Sequence, residues 1–219
     1  MSALENTVPQ QKPLLRGVSH LAASIGAALA APVLILLSDS PQAYVGAAIF
    51  AASLILLYGT SASYHLVTWR PDVRSLIRRI DHSMIFVFIA GTYTPFCLVV
   101  IDLAWGISML SVIWGIAGLG ILIKLTLPTA PRWVSVSLYI ALGWLSLITT
   151  RELVTEMETG PLMMLAGGGI LYTLGGLIYA LKRPDPLPRV MGYHEVFHLF
   201  VISGSAVHAL LLAIYVLPT

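Results

Sequence analysis

The chain has 219 residues, 58% of them hydrophobic and only 10% charged, with a formal net charge of +2. Soluble domains carry roughly 25% charged residues, and a chain this short cannot hide so much apolar surface in its own core, so a soluble globular domain is excluded. The small net charge and the lack of basic stretches interleaved with aromatics argue against a nucleic-acid partner, and the single cysteine, Cys97, excludes an intramolecular disulfide and reads as a small buried hydrophobe.

Apolar stretches of about 20 residues match a hydrocarbon core roughly 30 Å thick. Seven occur in chain order, at about 17–37, 43–66, 80–100, 103–125, 133–150, 161–181 and 192–217. Turn chemistry separates them in "SDSPQ", "TWRPDVRSLIRR", "IDLAW", "LTLPTAPRW", "RELVTEMETGP" and "KRPDPLPRV". The first stretch continues through "PVLILL" after the small residues "AALAA", so it reads as a membrane span rather than a cleaved signal. Tyr93, Thr94 and Pro95 are expected to kink the third helix. Gly167, Gly168, Gly169, Gly175 and Gly176 of the sixth are expected to let neighbouring helices approach closely. The expected fold is an all-α integral membrane bundle of seven transmembrane helices, one domain over 1–219 with a short tail at 1–16.

Of twelve Lys and Arg residues, eleven fall in the N-terminal tail and the second, fourth and sixth breaks. The other side holds only Arg151, beside Glu152, Glu156 and Glu158. Cytoplasmic loops carry the excess of basic residues, so the N-terminus is expected in the cytoplasm and the C-terminus outside.

Polar side chains inside spans are costly and mark function by default. His65 ends the second span, Asp81 opens the third beyond Arg78 and Arg79, and His194 and His198 lie one to two turns into the seventh. Three separate helices thus place these groups in the same, cytoplasmic half. Ser61 stands one turn deeper than His65 on the same face.

The residues from His194 to His198 spell H-E-x-x-H, the zinc-protease pattern. Residues four apart project together from a helix, and two imidazoles on one face suit zinc. A protease also needs a downstream ligand. His208 lies ten residues on, which is about 15 Å along the axis and roughly 80° around it, and Val201 and Gly204 occupy the Gly and last His positions of the extended motif. The pair therefore needs an upstream third ligand, and His65 stands at the right depth. Asp81 reads as a carboxylate holding a water, with a helix N-terminal acid stabilised by the macrodipole as the alternative. Ser61 reads either as a site residue or as a small packing residue. Glu195 is expected to face the cytoplasmic interface, with a general base as the other reading. His20 is expected beside the site, His82 to pack away from Asp81, and His208 to be a satisfied polar group in the outer half.

With the ordered set Ser61-x-x-x-His65, Asp81 and His194-x-x-x-His198, the chain resembles the bacterial hemolysin III family. That family lies within the larger group of adiponectin and progestin receptors (PAQR), with alkaline ceramidases as more distant relatives. Further matching stretches are "RGVSH" at 16–20, "DHSMIFVFIAGTYTP" at 81–95 and "HEVFHLFVISGSAVH" at 194–208. The resemblance implies a zinc ion held by His65, His194 and His198 near the cytoplasmic face, with Asp81 holding a water and Ser61 a hydrogen-bonding neighbour. It also implies a multi-pass protein of the bacterial inner membrane whose partners are membrane lipids, self-association being left open.

Three histidines leave one zinc position open for water, the geometry of a catalytic site. The function expected first is a zinc-dependent hydrolase of lipid amide or ester bonds with a role in membrane lipid homeostasis. A sensor or receptor with structural zinc and a pore-forming hemolysin are the alternatives. An intramembrane protease ranks behind them because its ligand arrangement is missing.

Overall fold

A computed structural model describes residues 13, 15–127, 131–187 and 189–218. Most of the expected tail at 1–16 lies outside the described residues. Among the described residues, seven helices are long and apolar enough to cross a membrane: α1 Val18–Leu36, α2 Pro41–Leu66, α3 Pro71–Val100, α4 Leu103–Thr126, α5 Arg132–Glu156, α6 Thr159–Leu181 and α7 Tyr193–Val216. No strand occurs among the described residues; Leu187 and Met191 form an isolated bridge ahead of α7.

Local chemistry explains where several helices begin. Ser40 caps α2 by accepting from the Ala43 N–H at 3.2 Å, with Pro41 in the first turn, where no N–H is needed. Asp102 caps α4 by accepting from the N–H groups of Ala104 and Trp105, both at 3.1 Å. This cap allows α4 to start almost directly after α3, whose last turn, Phe96–Val100, is π-helical from the residue after Pro95.

Two boundaries differ from the sequence reading. The third helix begins at Pro71 rather than near residue 80, so most of the basic break "TWRPDVRSLIRR" is itself helical. The fifth does not stop near 150. It tightens to a 3₁₀ segment at Trp144–Thr149 and continues as α-helix through Thr150–Glu156, taking in Arg151 and Glu152. Hydropathy detects where a helix leaves the hydrocarbon, whereas backbone hydrogen bonding continues as long as the residues tolerate it, and Arg, Glu and Leu all do.

Packing between elements gives the bundle its plan. α1 packs on α2 and α7, α2 on α3, α3 on α4 and α5, α5 on α6, and α6 on α7. Six helices therefore close a ring, and α4 stands outside it against α3 and α5. One apolar cluster joins Phe50, Leu54, Phe88, Leu211 and Leu212 across α2, α3 and α7. A second joins Phe86, Met109, Ile113 and Leu142 across α3, α4 and α5. Large apolar side chains such as Leu29, Leu36, Leu119 and Met163 project outward, as expected of helices facing hydrocarbon.

The ring encloses a cavity of about 430 Å³. Residues of α1, α2, α3, α5, α6 and α7 line it, and among the described residues none of α4 does. Its wall is apolar along most of its length, and His20, Ser61, Asp81, His194 and His198 are gathered on it.

Candidate metal centre

The spacing of His194 and His198 puts both rings on the inner face of α7, where their centroids are 4.5 Å apart. On α2 the buried face runs through Leu54, Leu57, Tyr58, Ser61, Ala62 and His65, so its last turn delivers His65 to the same place. The His65 ring lies 4.9 Å from His194 and 5.5 Å from His198. The Nε2 atoms of His65 and His194 are 3.1 Å apart. Each of the three residues offers one ligand atom, and these atoms all lie within 4.8 Å of one another.

This donor set fits a cation. Nitrogens bound tetrahedrally at about 2.0–2.1 Å lie about 3.3 Å apart, close to the His65–His194 separation, and the ligand atom of His198 lies within 4.8 Å of both. Buried polar atoms are normally hydrogen-bonded, yet Nδ1 of His198 is buried without a partner among the described residues. Three clustered imidazoles, two buried and His194 partly so, form a group that could hold a metal ion.

The remaining site candidates can be placed individually. Asp81 lies three turns into α3, not at its start, because the helix begins ten residues earlier. A macrodipole role for Asp81 is thereby overturned, since that effect fades within the first turn. The carboxyl of Asp81 faces the cavity and interacts with the Ser61 hydroxyl from α2. Ser61 is buried. His82 does not pack away from Asp81: it lines the same cavity with its Nδ1 3.8 Å from Asp81 Oδ2, while that Nδ1 also pairs with the Arg78 carbonyl at 2.6 Å and its Nε2 lies 3.4 Å from the Tyr179 hydroxyl. His208 is tied through Nε2 to the Leu165 carbonyl at 3.1 Å.

Glu195 departs from expectation. It is buried rather than interfacial, and it makes an ion pair of 2.6 Å with Arg16. Its other oxygen accepts from the Gly192 N–H at 2.8 Å, which caps the start of α7. A carboxylate held twice in this way is committed to structure, so neither the interface nor the general-base reading survives. His20 belongs to the site more closely than its position in sequence implied: its ring stacks on that of His198, with centroids 3.6 Å apart and planes 10° apart.

A ring of six transmembrane helices around an apolar cavity, with a seventh outside and three histidines converging at one end, defines a class: a multi-pass α-helical membrane protein with a histidine cluster that could hold a metal ion. The chain belongs to the haemolysin-III-related family, whose pattern it matches over residues 9–209, and that family lies in the PAQR group. It is 34% identical to Hemolysin-3 of Bacillus cereus over 95% of this chain and 94% of that protein. It is 32% identical to a Hemolysin-3 homolog of Bacillus subtilis over 90% of each. A human relative, monocyte to macrophage differentiation factor, is 28% identical over 78% of this chain and 71% of its own length.

Proposed function

We propose that the protein is a zinc-dependent hydrolase acting on an amide or ester bond of a membrane lipid, with His65, His194 and His198 as ligands and Asp81 and Ser61 as the catalytic pair. One observation carries the reading: Asp81 and Ser61 line the same apolar cavity as His194 and His198 of the histidine cluster. A purely structural metal would need no carboxyl turned into such a cavity.

Zinc at three imidazoles supplies Lewis-acid polarisation of a carbonyl and an acidified water. The chain's own residues do the rest. The apolar wall between α3, α5, α6 and α7 holds the acyl chain. Leu147 and Val154 of α5 line the cavity and are also exposed on the lipid side, so a substrate enters sideways from the membrane. Asp81 accepts the proton from the attacking water as the carbon–oxygen bond forms. It returns that proton to the leaving nitrogen or oxygen as the old bond breaks, giving a carboxylic acid and an amine or alcohol. Ser61 donates to Asp81 and keeps its carboxyl aimed at the water.

The same reading covers the whole chain, 1–219, as one domain of the bacterial inner membrane, with N-terminus in the cytoplasm and C-terminus outside. The distribution of basic residues supports that orientation. The site then faces the inner leaflet, and a role in adjusting membrane lipid composition follows.

The test is Asp81→Asn in purified, metal-loaded protein, with lipid mass spectrometry as the readout. Turnover should fall at least about 100-fold, the usual weight of a general base, with metal content unchanged. Lipid profiles identical in wild type and variant would instead assign the cluster to a sensor with structural metal.

A further inference from the structure

We infer that Arg16, Gly17 and His20 form a positioning strap that sets the ring planes of the metal-binding histidines. The inference rests on the metal reading of His65, His194 and His198 given above. Five consecutive residues, "RGVSH", reach both helices that carry the cluster.

Arg16 acts on α7. Its Nε donates to Glu195 Oε1 at 2.6 Å and its Nη2 reaches Oε2 at 3.5 Å. Glu195 follows His194 directly and precedes His198 by three residues, so anchoring it fixes the turn that bears both rings. The backbone is tied to the same place, because the Leu15 N–H donates to the Val190 carbonyl at 3.1 Å.

Gly17 acts on α2. Its φ of 89° lies in the left-handed region, and a Cβ there would come within 2.7 Å of the His65 Cβ and 2.9 Å of the Leu66 Cγ. Only a residue without a side chain lets the backbone rest on the root of the His65 side chain.

His20 acts on His198. It is one of only three buried residues on α1, with Ala27 and Leu34, and it is only 3% exposed. Both its nitrogens are buried without a hydrogen-bond partner among the described residues. What the ring contributes is therefore its face, laid flat against His198. The parallel planes argue against shared ligation, since stacked imidazoles aim their in-plane lone pairs side by side rather than at one point.

Groups that orient metal ligands typically govern about 10–100-fold of metal affinity. The test uses the full chain in lipid nanodiscs, with zinc affinity measured by chelator competition and the visible spectrum recorded with cobalt in place of zinc. Arg16→Met and His20→Leu should each weaken affinity about 10–100-fold and alter the cobalt bands. Arg16→Lys and His20→Phe keep the ion pair and the stacked face respectively, and should restore most of the loss. Gly17→Ala should act in the same direction by displacing His65. A role confined to holding the fold would lower the melting temperature of the Met and Leu variants yet leave the affinity and cobalt spectrum of the folded protein at wild-type values, and that result overturns the strap. Wild type that binds no cation overturns the metal reading itself, and the strap with it.

Discussion

His198 and His208 sit on the same helix, and their neighbours give them different work. Each has a buried Nδ1 without a hydrogen-bond partner among the described residues, but His198 meets His65 and His194, whereas Nε2 of His208 is engaged by the Leu165 carbonyl and its ring rests over Gly168. His194→Ala should therefore abolish stoichiometric metal binding, measured by elemental analysis of the purified protein. His208→Ala should leave metal content at the wild-type value while costing about 1 kcal/mol of stability through the lost hydrogen bond to the Leu165 carbonyl, measured as a shift in thermal unfolding. The clustering of His65, His194 and His198 and the meeting of Ser61 with Asp81 were legible because helical spacing and depth are sequence properties. The role of Glu195 was not legible: spacing gives its angle from His194, but not that Arg16, 179 positions away, occupies that direction.

Among the elements, α5 shows most clearly where linear reading stops. Its 3₁₀ segment begins just after Gly143, where the Tyr93 hydroxyl of α3 donates toward the carbonyls of Leu142 at 3.1 Å and Gly143 at 2.5 Å and accepts from the Ser146 N–H at 2.8 Å. One phenol thus satisfies backbone groups that a tightened helix leaves unpaired, a requirement that is severe in hydrocarbon. Tyr93→Phe should destabilise the protein by about 1–3 kcal/mol and speed amide exchange across 142–146, while exchange in α1 stays unchanged. Tyr93, Thr94 and Pro95 were expected to mark a bend; Pro95 does mark the change from α- to π-helix, but Tyr93 serves another helix altogether. Small residues behave in an equally specific way. A Cβ on Gly46 would come within 2.7 Å of the Pro95 Cα, so Gly46→Ala should separate α2 from α3 at a cost of about 1–3 kcal/mol. Within the glycine-rich α6, Gly168 and Gly175 face His208 and Phe200 of α7, while Gly167 and Gly169 face open space. Composition announced close packing but not which glycines provide it.

For the molecule as a whole, ring closure matters most. The two apolar clusters hold the helices together without help from a metal, so the metal-free protein should remain folded and helical. Saturating metal should add stability by mass action, about 2.7 kcal/mol at a hundredfold excess over the dissociation constant. Equal melting temperatures with metal and with chelator would contradict a cation site in the native state. Because the cavity is walled mainly by apolar side chains, vesicles loaded with a small dye and carrying the protein should retain it; rapid leakage would favour the pore-forming alternative.

By itself the sequence determined the membrane class, the number of spans and the residue types able to bind a cation, because hydrophobic length and helical period act locally along the chain. Tertiary structure alone decided that α4 stands outside the ring, that Asp81 lies deep in α3 rather than at its end, and that the first turn of α1 is laid against the histidines of α2 and α7. These outcomes depend on which faces meet across long sequence separations, and packing free energy, not periodicity, selects among them.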